Sequence, residues 1–244
     1  ASYRRDRNPA KSAWHQKTYT ANICTVTKDH VEMTCKTTEG SGKGHRWTVV
    51  VGAQSSMVSN QTVGYRLPKI FRVFGPSVDS LATSGGETIL LSGDFFGPLS
   101  LVRDEVASIK YGHHATAWDS NDRHYPPYFT HCEVILAHTL MQCISVEGTG
   151  KNLSLALEVD EQHSHIEPNA RRESVGYGQP IVFDISTVHS VSLAEADTRG
   201  TDVAVISGKN FGVMINNRTD IIAIYANEAY RRSDFDGFRG YLRG

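Results

Sequence analysis

Two cysteine pairs set the frame for this chain. Cys24 and Cys35 recur 108 residues later as Cys132 and Cys143, with ten residues inside each pair. That spacing is neither a CxxC redox motif nor a zinc-ligand pattern. The same offset carries Tyr3 onto Tyr111, Glu39-Gly40 onto Glu147-Gly148, Gly42-Lys43 onto Gly150-Lys151, Gln54 onto Gln162 and Ser56 onto Ser164. Tyr65-x-x-Pro68 returns as Tyr177-x-x-Pro180, and SGDFFG at 92–97 returns as SGKNFG at 207–212. A register held over this much chain marks a tandem repeat, with loops of varying length between landmarks. Residues 1–67 match the later part of a unit, 68–180 make one complete unit, and 181–244 match the early part of another. The chain reads as a window on an array. Its first residues, ASYRRDRNPAK, lack the apolar core of a signal peptide, so a leader has been removed or the window is internal.

Within a unit the period is two. ETILLSG, VASIKYG, THCEVIL, TLMQCIS, LSLALEV and RWTVVVG are short alternating or β-branched runs bounded by turn formers. Six or seven such strands in about 110 residues predict an all-β fold of tandem antiparallel Ig-like sandwiches, one complete unit flanked by two partial ones. CEVILAHTLMQC and CTVTKDHVEMTC each read as two strands joined at Ala-His-Thr or Lys-Asp-His. Facing strands would bring Cys24 to Cys35 and Cys132 to Cys143 within bonding reach, free buried thiols being the other reading. Three sequons, at Asn60, Asn152 and Asn217, stand beside these pairs and favour an oxidising secretory compartment with N-linked glycans. The formal net charge of −1 argues against nucleic acid as the partner, and no apolar run is long enough to span a membrane.

Catalytic and ligand-binding chemistry is thinly represented. The glycines of 85–100 would suit a phosphate loop only if a helix followed, whereas Pro98 follows Gly97 and the chain runs on toward another strand. The insert at 112–131 brings His113, His114, His124 and His131 near Asp119 and Asp122. Its spacing fits no standard metal motif, and Asp119-Ser-Asn-Asp122 lacks the Gly and distal Glu of a calcium loop. His163-Ser-His165 reads as an exposed turn, and no serine sits in GxSxG. The aromatic residues Trp118, Tyr125, Tyr128 and Phe129, stiffened by Pro126-Pro127, make a candidate protein contact or, equally, a loop folded over its own sandwich.

The order of motifs resembles the IPT/TIG domain, the Ig-like module of plexin-type ectodomains and fibrocystin-like surface proteins. Its carriers here are Pro68-Lys-Ile70, Gly85-Gly86, Ser92-Gly-Asp-Phe-Phe96-Gly97, Cys132, Cys143, Gly148 and Gly150, then Pro180-Ile181 and Ser207-Gly-Lys-Asn-Phe211-Gly212. Arg199-Gly200 replaces the Gly-Gly in the third unit, and the insert at 112–131 is bulky for the family. The resemblance implies a non-enzymatic module without cofactor or metal, exposed at the cell surface. It would act as an adhesion or recognition ectodomain whose partner is another protein. The alternative is a structural subunit of a surface filament, each half-domain completed by a neighbouring copy.

Overall fold

The computed structural model describes residues 2–5, 18–99, 107–112, 128–151, 153–164, 181–212 and 223. All of these except Ala223 belong to one compact body, Ala1–Val213. Among the described residues the regular elements are β-strands, and every strand pairing is antiparallel.

The first unit holds β1 (Ser2–Arg5), β2 (Thr18–Thr20), β3 (Asn22–Lys28), β4 (Glu32–Lys36), β5 (His45–Thr48), β6 (Val50–Val51), β7 (Gln54–Ser55) and β8 (Thr62–Val63). The middle unit holds β9 (Lys69–Phe74), β10 (Thr88–Asp94), β11 (Ala107–Gly112), β12 (Tyr128–Leu136), β13 (Leu140–Ile144), β14 (Ser154–Val159) and β15 (Gln162–His163). The third contributes β16 (Thr187–Val191) and β17 (Ile206–Lys209).

The middle unit is a curled seven-stranded sheet of order β15-β14-β11-β12-β13-β10-β9. Bridges from Leu81 to Phe183 and from Leu153 to Ile181 help close it. β10 alternates between buried and half-buried positions along its whole length, as a strand with one face on a core must. Its inward residues Ile89 and Leu91 meet Ile109, Val134, Met141, Leu157 and Phe96 in one apolar cluster. Ile181 and Phe183, which the spacing assigns to the start of the next unit, pack in this core.

The repeat seen in the sequence is a repeat of strand register. Tyr3 opposes Trp47 as Tyr111 opposes Leu155, each shifted by the same 108 residues. Val26 opposes Met33 as Val134 opposes Met141, and both hairpins carry the same bulge before the turn. Cys24–Cys35 and Cys132–Cys143 are both disulfides, joining directly opposed residues. The turn between the strands holds a histidine in the left-handed region in each case, His30 at φ 61° and His138 at φ 66°.

SGDFFG and SGKNFG fold alike. Phe95 and Asn210 have φ near 60°, and Gly97 and Gly212 near 90°. A Cβ on Gly93 would overlap the Lys69 carbonyl and the Phe96 ring, and one on Gly208 would overlap the Thr187 carbonyl and the Phe211 ring. These glycines let two backbones approach closely around a phenylalanine, which is a packing role. The third unit's hairpin corner survives the loss of Gly-Gly. Gly200 (φ 71°) donates its amide to the Asp197 carbonyl, as Gly85 (φ 70°) donates to Ala82. Arg199 ties down the same Asp197 through Nη2 at 2.6 Å, holding the carboxyl below its ordinary range.

Tyr111 is wholly buried, and its hydroxyl accepts a hydrogen bond from the Val146 amide at 3.0 Å. Burial pushes its pKa up from 10.0 to about 12, partly opposed by the Val146 bond and reinforced by Tyr128. The folded state keeps the proton longer than the unfolded chain does. Stability from this group is therefore intact below pH 10 and lost as the pH rises to about 12. Urea melts across that window should show the decline, and Tyr111→Phe should flatten it. An unchanged slope in that variant would assign the alkaline loss elsewhere.

The stretches before and after the seven-stranded sheet differ from it in how far their apolar residues are exposed. Val26 is 60% exposed where its counterpart Val134 is 1% exposed. Val191 is 52% exposed against 3% for Val73, and Phe211 39% against 0% for Phe96. Positions that form a core in the middle unit lie open in its neighbours.

Candidate functional site

The most constructed polar site lies where the first unit meets the middle one. β14 and β15 are joined by a tight turn in which Asp160 and Glu161 both take positive φ (47° and 61°). Two successive left-handed residues make a type I′ turn, which matches the natural twist of a hairpin. The turn aims Asp160 and Gln162 at the preceding unit, and both are buried.

The Gln162 amide bridges two backbone groups of the first unit. Its Oε1 accepts from the Gly42 amide at 3.1 Å, and its Nε2 donates to the Tyr65 carbonyl at 2.8 Å. Gly42 and Tyr65 are themselves joined, Tyr65 N to Gly42 O at 2.9 Å. Ser41 Oγ donates to Asp160 Oδ2 at 3.0 Å between two buried residues. Gly42 sits at φ 89°, and a Cβ there would run into the Asp160 carboxylate. Toward the rim, His138 Nε2 lies 3.3 Å from Glu39 Oε2, and the Arg66 guanidinium covers the Phe95 ring at 5.4 Å. A cleft of about 260 Å³ opens between Glu39, Tyr65, Arg66, Phe95 and His138. Buried hydrogen bonds to backbone fix one orientation between units, because breaking any of them strands a desolvated polar group.

Gln162→Ala removes both halves of the amide bridge. It should loosen the first unit while leaving the middle core folded, at a cost to docking of about 2 kcal/mol. Hydrogen exchange checks this: the Gly42 amide should lose protection while Ile89 and Met141 keep theirs. Unchanged protection at Gly42 would refute the clamp.

A second arrangement is repeated in both units. Tyr128 Oη donates to the Thr149 carbonyl at 2.8 Å and accepts from its amide at 2.9 Å, with Gly148 under the ring. In the first unit Tyr19 Oη stands between the Ser41 carbonyl and amide at 3.3 and 3.1 Å, with Gly40 under the ring. The correspondence of Tyr19 with Tyr128 is hidden in the sequence because Tyr19 lies one residue further from its cysteine. The extra residue is absorbed by a bulge at Ile23, which takes φ 49°.

Of the candidate contact residues, Tyr128 and Phe129 begin β12 and belong to the strand, while Trp118 and Tyr125 lie outside the described residues. Tyr128 turns inward against Tyr111 and Phe183 and packs, half-buried, against the core. Phe129 faces out, its ring edge-on to His131. Asn60 is exposed in a turn, whereas Asn152 and Asn217 lie outside the described residues. His163 is exposed and stands 4.0 Å from Glu158, and His113, His114, Asp119, Asp122, His124 and His165 lie outside the described residues. Among the described residues, no helix is long and apolar enough to cross a membrane.

The spacing pairs Gln54 with Gln162 but says nothing of what either touches. Ser41, Gly42 and Tyr65 reach Asp160 and Gln162 across roughly a hundred residues of chain, and no local pattern announces such partners. No protein-family model matches this chain, and no curated protein matches it either.

Proposed function

We propose that this chain is a segment of an extracellular surface glycoprotein built from IPT/TIG-like repeats, acting through protein recognition and adhesion without catalysis. The observation that carries this reading is the joint at Gln162. A buried, directional clamp between successive sandwiches makes a stalk of set geometry, which is what presenting loops to a partner requires. Two hairpins closed by disulfides support an oxidising compartment. The partner class is protein, with N-linked glycans at Asn60, Asn152 and Asn217.

Beads coated with chain made through a secretory pathway should clump with each other or capture cells carrying the partner. Beads that stay dispersed in both assays would sink the recognition reading. Deleting 118–129 locates the contact: lost capture places it in the insert. Peptide mass spectrometry of the same material should find carbohydrate on the three asparagines.

A second reading, a structural subunit of a self-assembling surface filament, is favoured by one specific observation. Val26, Val191 and Phe211 are exposed where their counterparts Val134, Val73 and Phe96 are buried. Faces of this kind are closed by adding strands.

A further inference from the structure

We propose that the cleft between the first unit and the middle one is a binding site for a single carboxylated sugar residue, held through its carboxylate by Arg66. The site goes beyond protein recognition and does not rest on it.

The cleft takes Glu39, Tyr65 and Arg66 from the first unit and Phe95 and His138 from the middle one, around about 260 Å³. That is near the lower end of the roughly 300–1,000 Å³ usual for ligand sites, and it suits one sugar ring.

Its walls are fixed in advance. The Tyr65 amide is held by Gly42 and the Tyr65 carbonyl by Gln162. The Tyr65 hydroxyl donates to the Thr38 carbonyl at 2.9 Å, and the ring meets Tyr19 and His45 edge-on. The His138 amide donates to the Gly97 carbonyl at 2.7 Å, and its carbonyl accepts from the Phe96 amide at 3.1 Å. Groups already held in place lose little freedom when a ligand arrives.

Phe95 is the least expected wall residue. It takes φ 64°, a left-handed conformation that disfavours a bulky side chain. The matching residue of the third unit is Asn210, at φ 61°, and asparagine enters this region far more readily. Asn210 donates its side-chain amide to the Ile185 carbonyl at 3.1 Å. Phe95 instead places a half-buried ring at the cleft, with the Arg66 guanidinium over it at 5.4 Å. Backbone strain held at a cleft wall points to function.

Arg66 is the group that this ring positions. Among the described residues its guanidinium has no carboxylate or carbonyl partner. A ring engages the face of a guanidinium and leaves its in-plane N–H fork open, the geometry that grips a carboxylate at both oxygens. Glu39 sets the rest of the ligand. Its Oε2 lies 3.3 Å from His138 Nε2, and its remaining lone pairs can accept from hydroxyls. Its charge also repels a second acid group. The apolar edges of Tyr65 and Phe95 are left for the carbon skeleton of the ligand. One carboxylate, several hydroxyls and a compact carbon ring describe a uronic- or sialic-acid residue.

Glucuronate and N-acetylneuraminate, each titrated into the isotope-labelled 244-residue chain, test the site by NMR. At least one should shift the Gly40 and Gly97 amides saturably, with a Kd of about 1 mM. Glucose, which lacks the acid, and acetate, which lacks the ring, should bind at least about tenfold more weakly. Arg66→Ala should abolish the shifts. Arg66→Lys, which keeps the charge without the fork, should weaken binding roughly tenfold. Arg66 is exposed, and a Gly42 amide that keeps its protection from exchange in both variants shows the joint intact. An oligosaccharide ending in the same acid that binds at least as tightly as the free sugar identifies a glycan end as the ligand. Binding of the free sugar alone identifies a small metabolite. No saturable shift with either acid, equal binding of glucose or acetate, or binding that survives Arg66→Ala would overturn the site.

Discussion

Replacing Phe96 with alanine is expected to lower the stability of the middle unit by about 3–5 kcal/mol. Phe96 is fully buried in the cluster that holds Ile70, Leu91 and Met141, and hydrogen bonds hold the backbone around it. Its amide is bonded to His138, Gly97 accepts from the same residue, and Phe95 is already at positive φ. A ring removed from such a rigid corner leaves a cavity, so the cost should approach the upper part of the range for aromatic truncations. Urea denaturation followed by tyrosine fluorescence reads the change as a shift in midpoint with an unchanged slope. A loss under about 1 kcal/mol would show that the ring does not plug the sandwich. The equivalent Phe211→Ala should cost far less in a dilute chain, because that ring is still partly exposed.

Removing the Cys132–Cys143 bond by a double replacement with alanine should cost about 3 kcal/mol, from the entropy restored to a short unfolded loop. The sulfurs join directly opposed residues of β12 and β13, and Cys143 is buried within the core cluster. Reduction should therefore shift the unfolding of the whole middle unit. The Cys24–Cys35 bond closes a loop of equal length, so chain entropy assigns it the same value. Its hairpin lies largely exposed, and among the described residues the buried apolar cluster includes no residue of β3 or β4. Hydrogen exchange should show β3 and β4 losing protection locally, while β12 and β13 lose it only with global unfolding. Equal local opening in both hairpins would mean that the core contributes little to the pairing of β12 with β13.

The repeat was legible because its landmarks are local. A cysteine pair, a glycine corner and a β-alternating run each leave a pattern within a dozen residues, and the register shared by the two hairpins follows from one offset. The insert was read less well. Its last residues, Tyr128 to His131, form the start of β12, because the aromatic residues that suggest a contact surface also suit a strand. The correspondence of Tyr19 with Tyr128 is likewise hidden along the chain. A single bulge residue breaks the spacing while leaving the structure intact.

The sequence by itself determined the fold class, the period of the repeat, the cysteine pairs and the corner that marks each unit. All of these arise from steric and hydrophobic preferences of neighbouring residues. Only the tertiary structure decided that Gln162 bridges Gly42 and Tyr65, that Tyr128 packs against the core, and that Val26, Val191 and Phe211 are exposed where Val134, Val73 and Phe96 are buried. Each of these depends on which distant segment arrives opposite a side chain. Burial and hydrogen-bond partnership are properties of that meeting, and no window along the chain contains both sides of it.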